Sequence, residues 1–137
     1  MLHNSQFKTL MRSNYKNNAV AEKSKRFAIK CILLYKELTE IGREYIVSRQ
    51  FVRSGTSIGA NVREALRAQS KADFIAKLHI AMKEASETEY WLELLEETGY
   101  IADSDADTML DECAQLISIL HSIIKSTRQN QDSFQES

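Results

Sequence analysis

The sequence predicts an all-α protein, an antiparallel four-helix bundle in up-down-up-down order, on three observations. Proline is absent from all 137 residues and glycine occurs only four times; proline breaks helix interiors and favours turns and edge strands, so its absence suits long helices. Four stretches of roughly 20–28 residues carry apolar residues at alternating spacings of 3 and 4, the signature of one buried helical face. Short links join these stretches, and short links make sequential helices antiparallel neighbours. No stretch shows strand-like alternation, and no internal repeat is present. The length allows one domain with a core of its own. Its expected division is a flexible arm over 1–17, a bundle over 18–128 and a flexible tail over 129–137.

Helix one is expected from Ala19 to Thr39, with Asn18 as its N-cap, since an asparagine side chain accepts from a free backbone N–H. Val20, Phe27, Cys31, Leu34 and Leu38 form its seam. Ile29 and Leu33 fall on the opposite side, and a helix apolar on two sides is usually buried on two sides. Upstream, patterning is weak and Met11 is a candidate alternative start. Gly42 marks the first turn. Helix two is expected from Arg43 to Ala68, with Phe51, Gly55, Ile58, Val62 and Ala65 as its seam. Its centre, Ser54-Gly55-Thr56-Ser57-Ile58-Gly59, superficially resembles a phosphate-binding loop. It lacks the Gly-Lys-Ser/Thr ending and the preceding strand that such a loop needs. The seam keeps register across it, which predicts an unbroken helix in which Gly55 and Gly59 admit a close neighbour.

Helix three is expected from Lys71 to Thr98. Ser70 with Asp73 gives the start signal, a variant capping box, and Gly99 the stop. Phe74, Leu78, Ala81, Ala85, Thr88, Leu92 and Leu95 hold a strict 4, 3 alternation. Lys77, Glu84 and Thr88 line one edge of this seam beside Trp91. They are expected to form a polar network with Arg53 or Arg63 of helix two. Ala76, Ile80 and Leu94, flanked by Tyr90 and Trp91, form a second apolar stripe on the back. Ser104 and Asp107 signal helix four, which is expected to reach Arg128 with Leu110, Cys113, Ile117, Leu120 and Ile124 as its seam. Lys125 and Arg128 suit the C-terminal end of the helix dipole.

Composition narrows the function. No apolar run reaches the roughly 18 residues of a membrane span, and residues 1–18 lack a signal-peptide core, so a cytoplasmic protein without membrane contact is expected. The two cysteines, Cys31 and Cys113, read as buried thiols rather than a disulfide framework. His3, His79 and His121 form no His-x-x-x-His or Glu-x-x-His pair, so a bundle-core metal site lacks ligands. No nucleophile motif appears, and no enzyme activity, metal or cofactor is expected. Net charge is −1, unevenly spread: residues 1–36 hold eight Lys and Arg against one acid, whereas residues 71–99 and 100–137 balance at −4 and −5. Such polarity serves subunit matching or a local anionic partner.

The segments Arg53-Ser54-Gly55-Thr56-Ser57-Ile58-Gly59-Ala60-Asn61, Ser70-Lys71-Ala72-Asp73-Phe74-Ile75-Ala76-Lys77-Leu78 and Ala81-Met82-Lys83-Glu84-Ala85-Ser86-Glu87-Thr88-Glu89-Tyr90-Trp91-Leu92 together resemble a known family. It comprises the four-helix-bundle proteins encoded in intervening sequences of bacterial 23S ribosomal RNA genes. The resemblance covers about residues 19–125. It implies a bundle that assembles into a five-membered ring. It also implies kinship with the accessory proteins of diversity-generating retroelements, basic pentamers that work with a reverse transcriptase and nucleic acid. This chain departs from them in being slightly acidic, and the family offers no catalytic residues to carry over. Two functions are therefore expected to compete. One is a non-enzymatic homo-oligomer that binds structured RNA, or joins a nucleic-acid enzyme, through Lys23, Lys25 and Arg26, with Lys8, Arg12 and Lys16 gathered nearby. The other is a protein-binding scaffold ring without nucleic-acid contact. In both, Ile29, Leu33, Ile80, Trp91 and Leu94 are the expected subunit interface, since apolar patches on different helices favour heterologous contacts that close into rings.

Overall fold

A computed structural model describes the backbone of residues 15–136 and the side chains of residues 19–130. Four helices make up the fold: α1 (Tyr15–Glu40), α2 (Val47–Leu66), α3 (Lys71–Glu97) and α4 (Asp103–Glu136). Among the described residues there is no strand. Residues 1–14 of the expected arm, Met11 included, lie outside the described residues. Residues 15–17 already belong to α1, and the backbone expected to fray after Arg128 continues as helix to Glu136.

Cross-helix contacts give the topology. Arg53 meets Glu84 and Glu87, Ser54 meets Thr88, and Glu64 meets Lys77, so α3 descends as α2 rises. The Gly55 position abuts Cys31 and the Gly59 position abuts Ser24; Lys23 meets Gln115 and Lys30 meets Glu112. Each adjacent pair is antiparallel, the order is up-down-up-down, and α1 and α3 stand diagonally. The bundle is not evenly closed: α1 packs extensively on α2 and only sparsely on α4.

The core is a column of fully buried side chains, including Phe27, Phe51, Phe74, Ile58, Leu92 and Leu120. All seven seam residues of α3 and all five of α2 are buried. On α1, Val20, Phe27, Cys31 and Leu38 are buried and Leu34 partly so, with Ser24 completing the face. The seam of α4 differs from expectation. Ala106, Met109, Leu116, Ile123 and Thr127 are buried together with the expected Cys113, Leu120 and Ile124, whereas Leu110 and Ile117 are only partly buried. This helix is apolar over a wide arc, so apolarity alone does not choose between adjacent faces; small Ala106 and the self-satisfied hydroxyl of Thr127, which donates to the Ile123 carbonyl at 2.7 Å, mark the chosen one.

Local chemistry sets the ends. Ser70 Oγ accepts from the Asp73 N–H at 3.1 Å. At the far end of α3, Gly99 adopts φ +84°, its N–H donates to Glu96 O at 3.0 Å and the Tyr100 N–H to Leu95 O at 2.9 Å. These paired bonds absorb carbonyls that the helix leaves open. The first turn is longer than expected. Arg43, not Gly42, takes the left-handed conformation, at φ +54°, and α2 begins at Val47 rather than Arg43. Glu44 explains the shift: its carboxylate accepts from the N–H groups of Ile46, Val47 and Ser48 at 2.9, 2.7 and 2.7 Å, capping the helix from outside.

Candidate nucleic-acid interface

The antiparallel topology sorts charge by end rather than by helix. The start of α1, the end of α2, the start of α3 and the end of α4 share one end of the bundle. That end carries Lys23, Lys25, Arg26, Arg63, Arg67, Lys71, Lys77, Lys125 and Arg128 against few acids. The opposite end carries Glu40, Glu93, Glu96, Glu97, Asp103, Asp105 and Asp107.

At the basic end the three cations singled out from sequence do not share a face. Successive residues turn about 100° around a helix, so Lys23 and Arg26 look toward α4 whereas Lys25 looks toward α2. Lys23 and Arg26 line a hollow of about 430 Å³ with Phe27, Lys30, Thr108, Asp111, Glu112, Gln115 and Leu116. There Lys23 donates to Gln115 and Lys30 pairs with Glu112, so this hollow largely neutralises itself. It continues along the loose α1–α4 seam into a second hollow of about 330 Å³ beside Leu33, Leu34, Asp105 and Met109.

Lys25 belongs to a different site. A hollow of about 390 Å³ between α1 and α2 has Ala21, Ala28, Gly59 and Ala60 among its lining, with Lys25, Arg63 and Arg67 around it and Glu64 the one acid. The floor is shallow because the helices are close: a Cβ on Gly59 would stand 3.3 Å from the Ser24 carbonyl oxygen. Glu64 is engaged by Lys77 at 3.6 Å. Lys25, Arg63 and Arg67 are exposed and join no salt bridge among the described residues. Sequence reasoning did not place Arg63 or Arg67 with Lys25: Arg63 was expected only as an alternative to Arg53 in the network with helix three, and Arg67 was not singled out. Their signal was present, since residues four apart share a helical face and an up-down chain returns the end of helix two to the start of helix one.

The other singled-out residues separate into structural and surface groups. Arg53 bridges Glu84 and Glu87 at 3.2 and 2.6 Å, and Lys77 reaches Glu64. Thr88 Oγ1 lies 2.8 Å from Ser54 Oγ and 2.8 Å from the Glu84 carbonyl oxygen, fully buried. These contacts tie α2 to α3. Residues 54–60 are continuous helix, which removes any phosphate-loop geometry. On the outer face of α1, Ile29 and Leu33 are 49% and 57% exposed, with Ile32 between them in sequence; on α3, Ile80 is 40% exposed and Tyr90, further along the helix, is exposed as well. Leu94 and Trp91 are partly buried. Trp91 meets Tyr90 edge-to-face at 5.1 Å, and its buried Nε1–H has no acceptor among the described residues. Among those residues, no three His, Cys, Asp or Glu side chains converge as metal ligands, and no helix is long and apolar enough to cross a membrane.

Residues 16–122, spanning most of the four helices, match the model of the 23S rRNA-intervening sequence protein family. The chain belongs to that family. A solved relative agrees: a crystal structure of a protein of unknown function from the S23 ribosomal protein family of Bacteroides thetaiotaomicron VPI-5482 is 52% identical and superposes with a TM-score of 0.79, over 80% of this chain and 98% of that one. No curated protein matches the chain. All three hollows along α1 and both apolar stripes lie inside the matched region.

Proposed function

We propose that this 23S rRNA-intervening sequence protein is a cytoplasmic, non-enzymatic homo-oligomer that holds the phosphate backbone of a structured RNA at its basic end. The observation that carries this reading is the α1–α2 hollow, where Lys25, Arg63 and Arg67 stand unpaired around a floor of alanine and glycine. Small side chains let a sugar-phosphate strand approach the helices, and three flanking cations outnumber the one local carboxylate, Glu64, which Lys77 engages. Assembly multiplies the effect. The apolar stripes of α1 and α3 face away from one another on diagonal helices, so a contact between them is heterologous and leaves each partner a stripe to offer, until the ring closes. A five-membered ring, as the family resemblance implies, repeats the hollow on every copy and converts weak single contacts into avidity.

Titration of labelled ribosomal RNA fragments across a salt series tests this. Binding at low salt should weaken linearly in log K against log[salt], with a slope of about −0.9 for each phosphate neutralised on a duplex and shallower on single strands. Substituting Lys25, Arg63 and Arg67 together by Glu should abolish binding and leave the oligomer intact. Changing Lys23 and Arg26 to Glu should cost less, because Lys23 already serves Gln115. If the wild type binds no RNA at low salt, the protein-scaffold reading replaces this one.

A further inference from the structure

The acidic end of the bundle carries a surface that RNA binding at the other end does not use. Both turns at that end, residues 41–46 and 98–102, lie side by side. A Cβ on Gly42 would stand 3.5 Å from the Tyr100 ring. On this platform Ile41 and Ile46 are each 80% exposed, and Tyr45 and Tyr100 are about half exposed. Turns are normally built from small polar residues, so two isoleucines standing in water at the two ends of one turn require a reason. The platform is held firmly. Glu44 binds three backbone N–H groups of the α2 start, its own N–H donates to Leu38 O at 2.9 Å, and the paired bonds at Gly99 fix the neighbouring turn. The isoleucines are thus displayed by a hydrogen-bonded frame.

The rim of this patch is acidic. Glu40, Glu96, Glu97 and Asp103 stand in or next to its two turns, against the single cation Arg43, and none of the four acids joins a salt bridge among the described residues. The Glu96 carboxyl is held above its ordinary range by loss of hydration and by the carboxylates of Asp103, Asp107, Glu97 and Glu93, as expected where negative charges crowd together. An apolar centre with a predominantly anionic rim complements a surface that is apolar and cationic together. Phosphate backbones are repelled by such a rim. The basic end of a second copy matches its charge but not its centre: the large hydrophobics exposed among the described residues lie along the outer faces of α1 and α3 and at the turn end itself.

We propose that the turn end docks a basic amphipathic helix of a partner protein, its apolar side chains on Ile41, Tyr45, Ile46 and Tyr100 and its Lys or Arg on Glu40, Glu96, Glu97 and Asp103. The site lies about 40 Å from the basic end, the length of a 27-residue helix, so one molecule can hold RNA and a protein at once.

The test uses fluorescence anisotropy with a labelled synthetic 18-residue amphipathic helix of Leu and Lys, and a Leu/Glu counterpart, against the full chain. The wild type should bind the Lys peptide and not the Glu peptide. Ile41→Ser with Ile46→Ser should weaken binding about tenfold or more, with unchanged circular dichroism and unchanged oligomer mass. Glu96→Gln, Glu97→Gln and Asp103→Asn together should weaken it and flatten its salt dependence. Glu in place of Lys25, Arg63 and Arg67 should leave peptide binding unaltered, which separates this site from the RNA reading. Absence of binding, or binding indifferent to the isoleucine pair, overturns the proposal. So does dissociation of the oligomer by that pair, which would make the patch a contact between copies of this chain.

Discussion

Gly55 and Gly59 sit one helical turn apart on α2, and both meet α1, yet their neighbours differ. A Cβ on Gly55 would come within 2.5 Å of Cys31 Sγ in a fully buried layer; one on Gly59 would rest 3.3 Å from a backbone oxygen at the rim of a hollow. Gly55→Ala should therefore destabilise by about 1–3 kcal/mol through overpacking, while Gly59→Ala should be close to neutral, its small crowding offset by alanine's helix preference of about 1 kcal/mol. Urea denaturation of both variants checks this. Adding Cys31→Ala to Gly55→Ala should recover part of the loss, because it removes the clashing sulfur. The spacing of the two glycines was legible in the sequence and predicted a close approach; the atom waiting opposite each was not, because it belongs to another helix. The thiols give a second prediction. Burial raises both, with Glu89 adding to the effect on Cys113, which is pushed up to about 12, and Cys113 and Glu112 adding to that on Cys31. Folded values above the unfolded value of 9.0 mean that the thiols' contribution is intact below pH 9 and is lost as pH rises from about 9 toward 12. The slope is about 1.4 kcal/mol per pH unit for each thiol. Alkaline denaturation should be shallower in Cys113→Ala than in the wild type; equal slopes would contradict it.

At the scale of the element, the four helices were unequally readable. The seam of α3 followed from its spacing alone because the 4, 3 alternation runs unbroken from Phe74 to Leu95, even with Ile75, Met82 and Trp91 apolar beside it. On α4, Cys113, Leu120 and Ile124 are buried as expected, but Leu110 and Ile117 gave way to Leu116 and Ile123, since these four spread apolarity over a broad arc. The start of α2 was misplaced by four residues because a glutamate two residues outside a helix is not a usual capping signal. That glutamate supports a prediction. Burial works to raise the Glu44 carboxyl, but the bonds from Ser48, Val47 and Ile46 outweigh it and hold it below its ordinary range. Its stabilisation is full above the unfolded value and is lost as pH falls through the lower folded one. Glu44→Ala should cost about 1 kcal/mol near neutral pH, as for other lost caps. Its deficit relative to the wild type should shrink on acidification, which thermal melts at pH 7 and pH 3 would measure. The outer face of α3 supports another. Ile80→Glu should dissociate the oligomer while leaving helix content intact, read by light scattering and circular dichroism; a wild type of 15.7 kDa at micromolar concentration would refute subunit contact through that stripe.

For the whole molecule, charge is the instructive quantity. Along the chain it reads as a basic first third followed by acidic helices three and four. In the fold it becomes a basic end and an acidic end, because the turns return Arg63, Arg67, Lys71 and Lys77 to the side where α1 begins. The cationic hollow was only partly legible for that reason. Lys25 could be found by local density, whereas Arg63 and Arg67 lie about forty residues away in sequence and join it through topology. Both termini of the described chain lie at the same basic end as that hollow.

This separation of charge has a consequence for any closed ring whose axis runs along the helices. Rotational symmetry cancels the sideways part of each subunit's moment and adds the axial parts, so the particle becomes a permanent electric dipole that grows in proportion to the number of copies. A dihedral arrangement, with copies head to head, would cancel it. A polyanion's field would turn such a ring before contact, presenting the basic face and averting the acidic one. Transient electric birefringence in dilute buffer would detect that alignment and tell a cyclic assembly from a dihedral one.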